Sequence, residues 1–118
     1  RYDRIAQLPK FRAGLDRILG ESQDHRIALM CSEADPLTCH RTILVCREIR
    51  RQSPNTRITH ILPDASVEPH DDALQRLVAL HKLEPELFGD LSSQEGLIEH
   101  AQDLQAERIA YTRSMAGP

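Results

Sequence analysis

The sequence predicts an α/β fold: a parallel strand–helix–strand (βαβ) sheet fragment with flanking helices and a helical C-terminal extension. Three observations carry this prediction. Ile27-Ala28-Leu29-Met30-Cys31 is a continuous apolar run, too short for a helix, as in a strand buried on both faces. Arg57-Ile58-Thr59-His60-Ile61-Leu62 is β-branched and alternating, and Pro63 ends it. Between them Ile43, Leu44, Cys46, Arg47 and Ile49 fall at helical spacing, a crossover long enough for a parallel, right-handed pair.

The remaining elements follow in order. Tyr2, Ile5 and Leu8 form one short helical stripe. Pro9 then suits the first turn of a second helix, whose apolar face is Phe11, Leu15, Ile18 and Leu19, with Gly20 placed to stop it. Residues 32–38 are a polar, Pro-containing loop, and the crossover helix fades at Ser53-Pro54-Asn55. Beyond Pro63 the chain turns acidic and helical. Asp71 or Asp72 is the expected cap of a helix carrying Ala73, Leu74, Leu77, Val78 and Leu80. Ser92 and Glu95 have capping-box spacing ahead of a last helix that buries Leu97, Ile98, Ala101, Leu104, the Arg108 stem and Ile109. Tyr111 reads as an anchor for that helix, and residues 114–118 as a frayed end. On this reading residues 1–72 are the α/β core, and residues 73–118 are an acidic helical extension of the same domain.

Composition narrows the function classes. The chain has 118 residues, room for one domain. Tyr2, Phe11, Phe88 and Tyr111 are its only aromatics, so the core is aliphatic and stacked platforms for nucleic acid have little to work with. Residues 1–57 hold 11 Lys or Arg against 7 Asp or Glu; residues 58–118 hold 4 against 11. Two such halves attract each other or face different partners. The strip of Arg47, Arg50, Arg51 and Arg57 reads as a solvated helix face. No apolar run is of membrane-spanning length and no signal-peptide pattern opens the chain. With three cysteines, Cys31, Cys39 and Cys46, the expectation is a soluble protein with reduced thiols in the cytoplasm. Two strands alone are not a stable sheet. Because the chain opens on Arg1, the expectation is that further strands lie in an upstream segment, with a homodimer as the alternative.

One segment concentrates chemistry. Cys31, Glu33, Asp35, Cys39, His40 and Arg41 fall within residues 31–41, at a strand end and a helix start, the usual ligand position in open α/β sheets. Asp35 before Pro36 is a good N-cap, with Thr38 a second candidate. Arg41 then sits at the unfavourable end of a helix dipole, a placement that a carboxylate or a bound anion compensates. Glu33 and Asp35 are the internal candidates for that role.

Three readings of the loop stay open. In one, Arg41 and nearby amides bind an anion such as a nucleotide or phosphorylated small molecule, with Cys31 and Glu33 helping to form the pocket. In another, the loop is structural and the chain is a non-catalytic interaction module. In the third, Cys39 beside His40 is a thiol nucleophile, although no glycine lies between the cysteines and Arg41 as an anion-cradling loop requires. Metal ligation has two weaker sets, Cys31 with Cys39 and His40, and His60 with Asp64, His70, Asp71 and Asp72. His60, among Ile58, Ile61 and Leu62, reads first as a hydrogen-bonded core histidine.

The run Ala28-Leu29-Met30-Cys31-Ser32-Glu33 followed by Cys39-His40-Arg41 resembles the signature of the domain-of-unknown-function family 488, found in bacteria and archaea. His60-Ile61-Leu62 resembles that family's next strand, and Ala101, Gln105, Ile109, Ala110 and Tyr111 its closing helix. The resemblance implies a cytoplasmic, Rossmann-like α/β fold without an established activity. It also implies an upstream segment with a further strand and an Asp-x-Arg motif. Carried over by position, Cys31, Glu33, Cys39, His40 and Arg41 are the residues brought to a shared pocket. The resemblance leaves the cofactor and the reaction unknown.

Overall fold

The computed structural model describes residues 2–83 and 94–115. Its elements are α1 (Tyr2–Gln7), α2 (Pro9–Glu21), a 3-10 turn (Pro36–Thr38), a π-helical turn (Arg41–Cys46) running into α3 (Arg47–Gln52), β1 (Thr59–Ile61), β2 (Val67–Pro69), α4 (His70–Leu80) and α5 (Gln94–Met115). The structure is mostly helical, and β1 and β2 form a two-stranded antiparallel sheet. The expected parallel, Rossmann-like βαβ core is therefore corrected.

The correction has a physical cause. A strand needs backbone partners on its neighbours, and β1 finds them locally. A turn over residues 62–66 folds β2 back, pairing Thr59 with Pro69, His60 with Glu68 and Ile61 with Val67. Asp64 Oδ1 accepts from Ser66 N at 2.9 Å and from Ser66 Oγ at 2.5 Å. Ala65 adopts φ 71°, and Leu62 N donates to Ser66 O at 2.9 Å. Closing so short a loop costs less entropy than joining residues 27–31 across the crossover. Residues 26–31 are irregular and make no backbone–backbone hydrogen bond among the described residues. Ile27, Leu29 and Met30, expected to be buried on a sheet, are 39%, 36% and 93% exposed.

The helices follow their periodicity more closely. Pro9 opens α2, which buries Leu15 and runs through Gly20 to Glu21 before Ser22 closes it. α4 begins at His70, so Asp71 and Asp72 stand in its first turn, where negative charge suits the dipole, instead of capping it. Ser92 and the side chain of Tyr111 fall outside the described residues.

The core joins the crossover to both later helices. Leu37 and Ile43 pack with Ala73, Leu77 and Val78 of α4 and with Leu97, Ala101 and Ile109 of α5. Buried Gln105 fixes α5, donating from Nε2 to Leu37 O at 2.7 Å and meeting His81 at 2.9 Å through Oε1. Charge also ties the basic half to the acidic one. Arg47, buried, reaches Glu99 and Asp103 at 2.8 Å each, Arg50 reaches Asp71 at 2.8 Å and Arg51 reaches Glu99 at 3.3 Å. Three of the four arginines read as a solvated face thus clamp helices; Arg57 is exposed.

Candidate functional site

Asp35 does cap, but it caps the 3-10 turn: Leu37 N donates to its Oδ1 at 2.9 Å, and Pro36 opens the turn. Arg76 of α4 holds this corner, pairing with Asp35 at 3.1 Å and with Glu68 of β2 at 3.0 Å. These partners hold the Asp35 carboxyl below the usual range despite partial burial. The chain then enters the π-helical turn at Arg41. In an α-helix, side chains five apart lie about 140° apart around the axis. The i→i+5 closure brings them to one side, so that Arg41 and Cys46 line the same groove.

That groove has a volume of about 780 Å³. One side is made by Arg26 to Leu29, the other by Thr56 to Ile61, and Arg41, Cys46 and Ile49 are among the other lining residues. It is thus the space between the two segments expected to pair as strands. Arg26, Arg41 and Arg57 line it together with His25 and His60, and among the described residues no Asp or Glu does. Arg41 Nε and Nη2 are buried without a hydrogen-bond partner among the described residues. Glu33, the expected orienter of Arg41, is exposed and makes no ion pair among the described residues. Asp35, the other candidate, is taken by Arg76.

The thiols divide by environment. Cys39 is buried; burial and the neighbouring Cys31 thiol push it above the ordinary thiol value. Its Sγ accepts from Arg41 N at 3.2 Å. Cys31 is exposed. What little burial it has opposes ionisation, but hydrogen bonds with Cys39 and the Glu33 backbone, helped by the Arg41 charge, bring it below the ordinary value. Of the two thiols, Cys31 is thus the one shifted toward the thiolate form and Cys39 the one shifted away from it. His40 stands half-buried between Cys39 and Arg41.

The structure also builds a cluster that sequence spacing did not show as a unit. Cys46, His60 and His70, all buried, each offer a ligand atom within 4.8 Å of the others. His60 Nε2 and His70 Nδ1 are 2.9 Å apart. Burial lowers the His60 pKa, with the Arg41 charge adding to it; burial and His60 take His70 down to about 4. Burial pushes the Cys46 thiol up to about 12. At neutral pH the three are a neutral thiol and two neutral imidazoles. Asp64 and Asp71, once grouped with these histidines, are engaged by Ser66 and Arg50.

No helix among the described residues is long and apolar enough to cross a membrane. No curated protein and no solved structure matches the chain. The similarity found is to a family model over residues 1–47, which takes in the whole 31–41 loop and ends before β1 and α5. Residues 1–47 match the family model described as domain of unknown function DUF488, a similarity consistent with a partial domain of that family.

Proposed function

We propose that the chain binds a small anionic ligand, of the phosphate-bearing or nucleotide class, in the groove, with Arg41 as its principal cation. The observation that carries this reading is Arg41, which lines the groove and two of whose guanidinium nitrogens are buried with no hydrogen-bond partner among the described residues. A buried donor without an acceptor costs roughly 1–3 kcal/mol, more for a charged group, and an oxoanion removes that cost with charge-assisted bonds. The setting agrees. Arg26 and Arg57 add positive charge, no carboxylate competes, and Ile27, Leu29, Ile49 and Ile58 offer apolar surface to a base or acyl part of the ligand.

The test is thermal melting of the chain with inorganic phosphate and with nucleoside phosphates. A ligand at a hundred times its Kd stabilises by about 2.7 kcal/mol, a readable rise in Tm. Arg41→Ala is expected to abolish the rise. A rise that persists in Arg41→Ala, or no rise with any of these anions, contradicts the reading.

A second reading has its own support. Residues 27–30 combine exposed apolar side chains with backbone groups unpaired among the described residues, the features that invite another polypeptide strand, such as that of a second copy. A concentration-dependent dimer in sedimentation that breaks on Leu29→Lys supports this interaction role; a monomer at all concentrations excludes the homodimer.

A further inference from the structure

Cys46, His60 and His70 come from three elements, the π-helical turn, β1 and the first residue of α4, and they are 4%, 4% and 1% exposed. The hairpin register brings the last two together, because His70 N closes the ladder on Ile58 O at 2.9 Å. We propose that these three side chains bind a divalent transition-metal ion of the zinc class through one thiolate sulfur and two imidazole nitrogens.

The donor set selects the metal class. Sulfur with two nitrogens suits zinc and its neighbours, whereas magnesium and calcium require oxygen ligands. The spacing fits as well. Zinc–sulfur and zinc–nitrogen bonds of about 2.3 Å and 2.0–2.1 Å place tetrahedral ligand atoms about 3.3–3.6 Å apart. The three atoms already lie within 4.8 Å of one another, with the two imidazole nitrogens of the His60–His70 hydrogen bond at 2.9 Å. Side-chain adjustments of about an ångström or less complete the site.

Metal binding releases the Cys46 proton to solvent as the sulfur–metal bond forms. It replaces the His60–His70 hydrogen bond with one metal–nitrogen bond from each ring, the proton of that hydrogen bond moving to the other nitrogen of its own ring, and nothing is oxidised or reduced. Cys46 and His60 also line the groove, whereas His70 does not. Three protein ligands leave a fourth position for a water or other oxygen donor. The inference stands on the three ligands and does not require an anion on Arg41.

The full chain, freed of metal with a chelator, is titrated with zinc by calorimetry and with cobalt(II) by absorption. The expected result is one ion per chain, a rise in Tm and a sulfur-to-cobalt charge-transfer band. Cys46→Ser removes the band and weakens zinc binding by more than about 100-fold, beyond the usual effect of losing an outer-shell partner. The double variant Cys31→Ser/Cys39→Ser retains both, since Cys46 is then the only thiol in the chain. Arg41→Gln also retains both, which separates this site from the proposed anion contact. The assignment is overturned if the parent chain binds no stoichiometric zinc. It is equally overturned if the band is absent from the double variant, a result that stands even where Cys46→Ser does not fold.

Discussion

The helical core and the groove are built from neighbouring residues yet differ in whether a carboxylate meets their buried arginine, although Arg47 Nε and Thr42 Oγ1 on the core side also have no hydrogen-bond partner among the described residues. Where the crossover meets α4 and α5, apolar side chains close on one another, Gln105 bonds to both Leu37 and His81, and Arg47 is met by two carboxylates. On the groove, a few residues away, Arg41 keeps buried nitrogens without partners among the described residues, and Ile27 and Leu29 are partly exposed. Charge satisfied within the chain builds stability. Arg41, on the groove, forms no ion pair among the described residues.

Mutation should separate the two regions most strongly through their leucines. Leu77 is fully buried between α4 and α5, and Leu77→Ala is expected to destabilise by about 2–5 kcal/mol in urea unfolding. Leu29 on the groove is about a third exposed, and Leu29→Ala should cost less than about 1 kcal/mol. Equal losses would mean that the groove wall is as much core as the helices.

Acid should open the His60–His70 side first. Both rings titrate below the ordinary histidine value in the folded chain, His70 at about 4, so the unfolded chain binds more protons as the pH drops. Stability is therefore fully present above about pH 6.5 and is lost as the pH falls toward 4, on the order of 3 kcal/mol from His70. Urea midpoints of chelator-treated protein across that window give the slope, and His70→Gln should flatten it. A slope that rises toward acid would contradict the burial of these rings.

The smallest effect belongs to the corner that holds the loop. Arg76 is exposed, and its pairs with Asp35 and Glu68 are partly screened, so Arg76→Ala should lower stability by about 0.2–1 kcal/mol. Because it tethers residues 35–36 to the hairpin, the same substitution should increase amide exchange in the 31–41 loop. Unchanged exchange there would remove Arg76 from the account of how the loop is held.

Much of this was legible in the chain, and the failures share one cause. The periodic spacings in α2, α3, α4 and α5 are local and survive any tertiary arrangement. The Asp35-Pro36 cap is local too, although it serves a 3-10 turn. The apolar run at residues 27–31 was a sound strand signal, but a strand exists only with a neighbour, and β1 took β2 through a turn whose geometry rests on Ala65 and Asp64. Val67-Glu68-Pro69 is too short and too polar to announce itself as that partner. His60 and His70 stood in one candidate metal set. Cys46 joined them only through the widened π-helical turn, which no composition signal marks. Arg41 was singled out for its place against the helix dipole, and what the structure adds is the groove beside it.

The central claim, that this groove carries positive charge meant for an anion, is tested most directly by titrating the chain with inorganic pyrophosphate in a calorimeter, beside Arg41→Gln. The account predicts saturable one-to-one binding to the parent chain, weakening as salt is added, and its loss in an Arg41→Gln variant that melts at the parent temperature. Binding of equal strength to both proteins, or to neither, would contradict it.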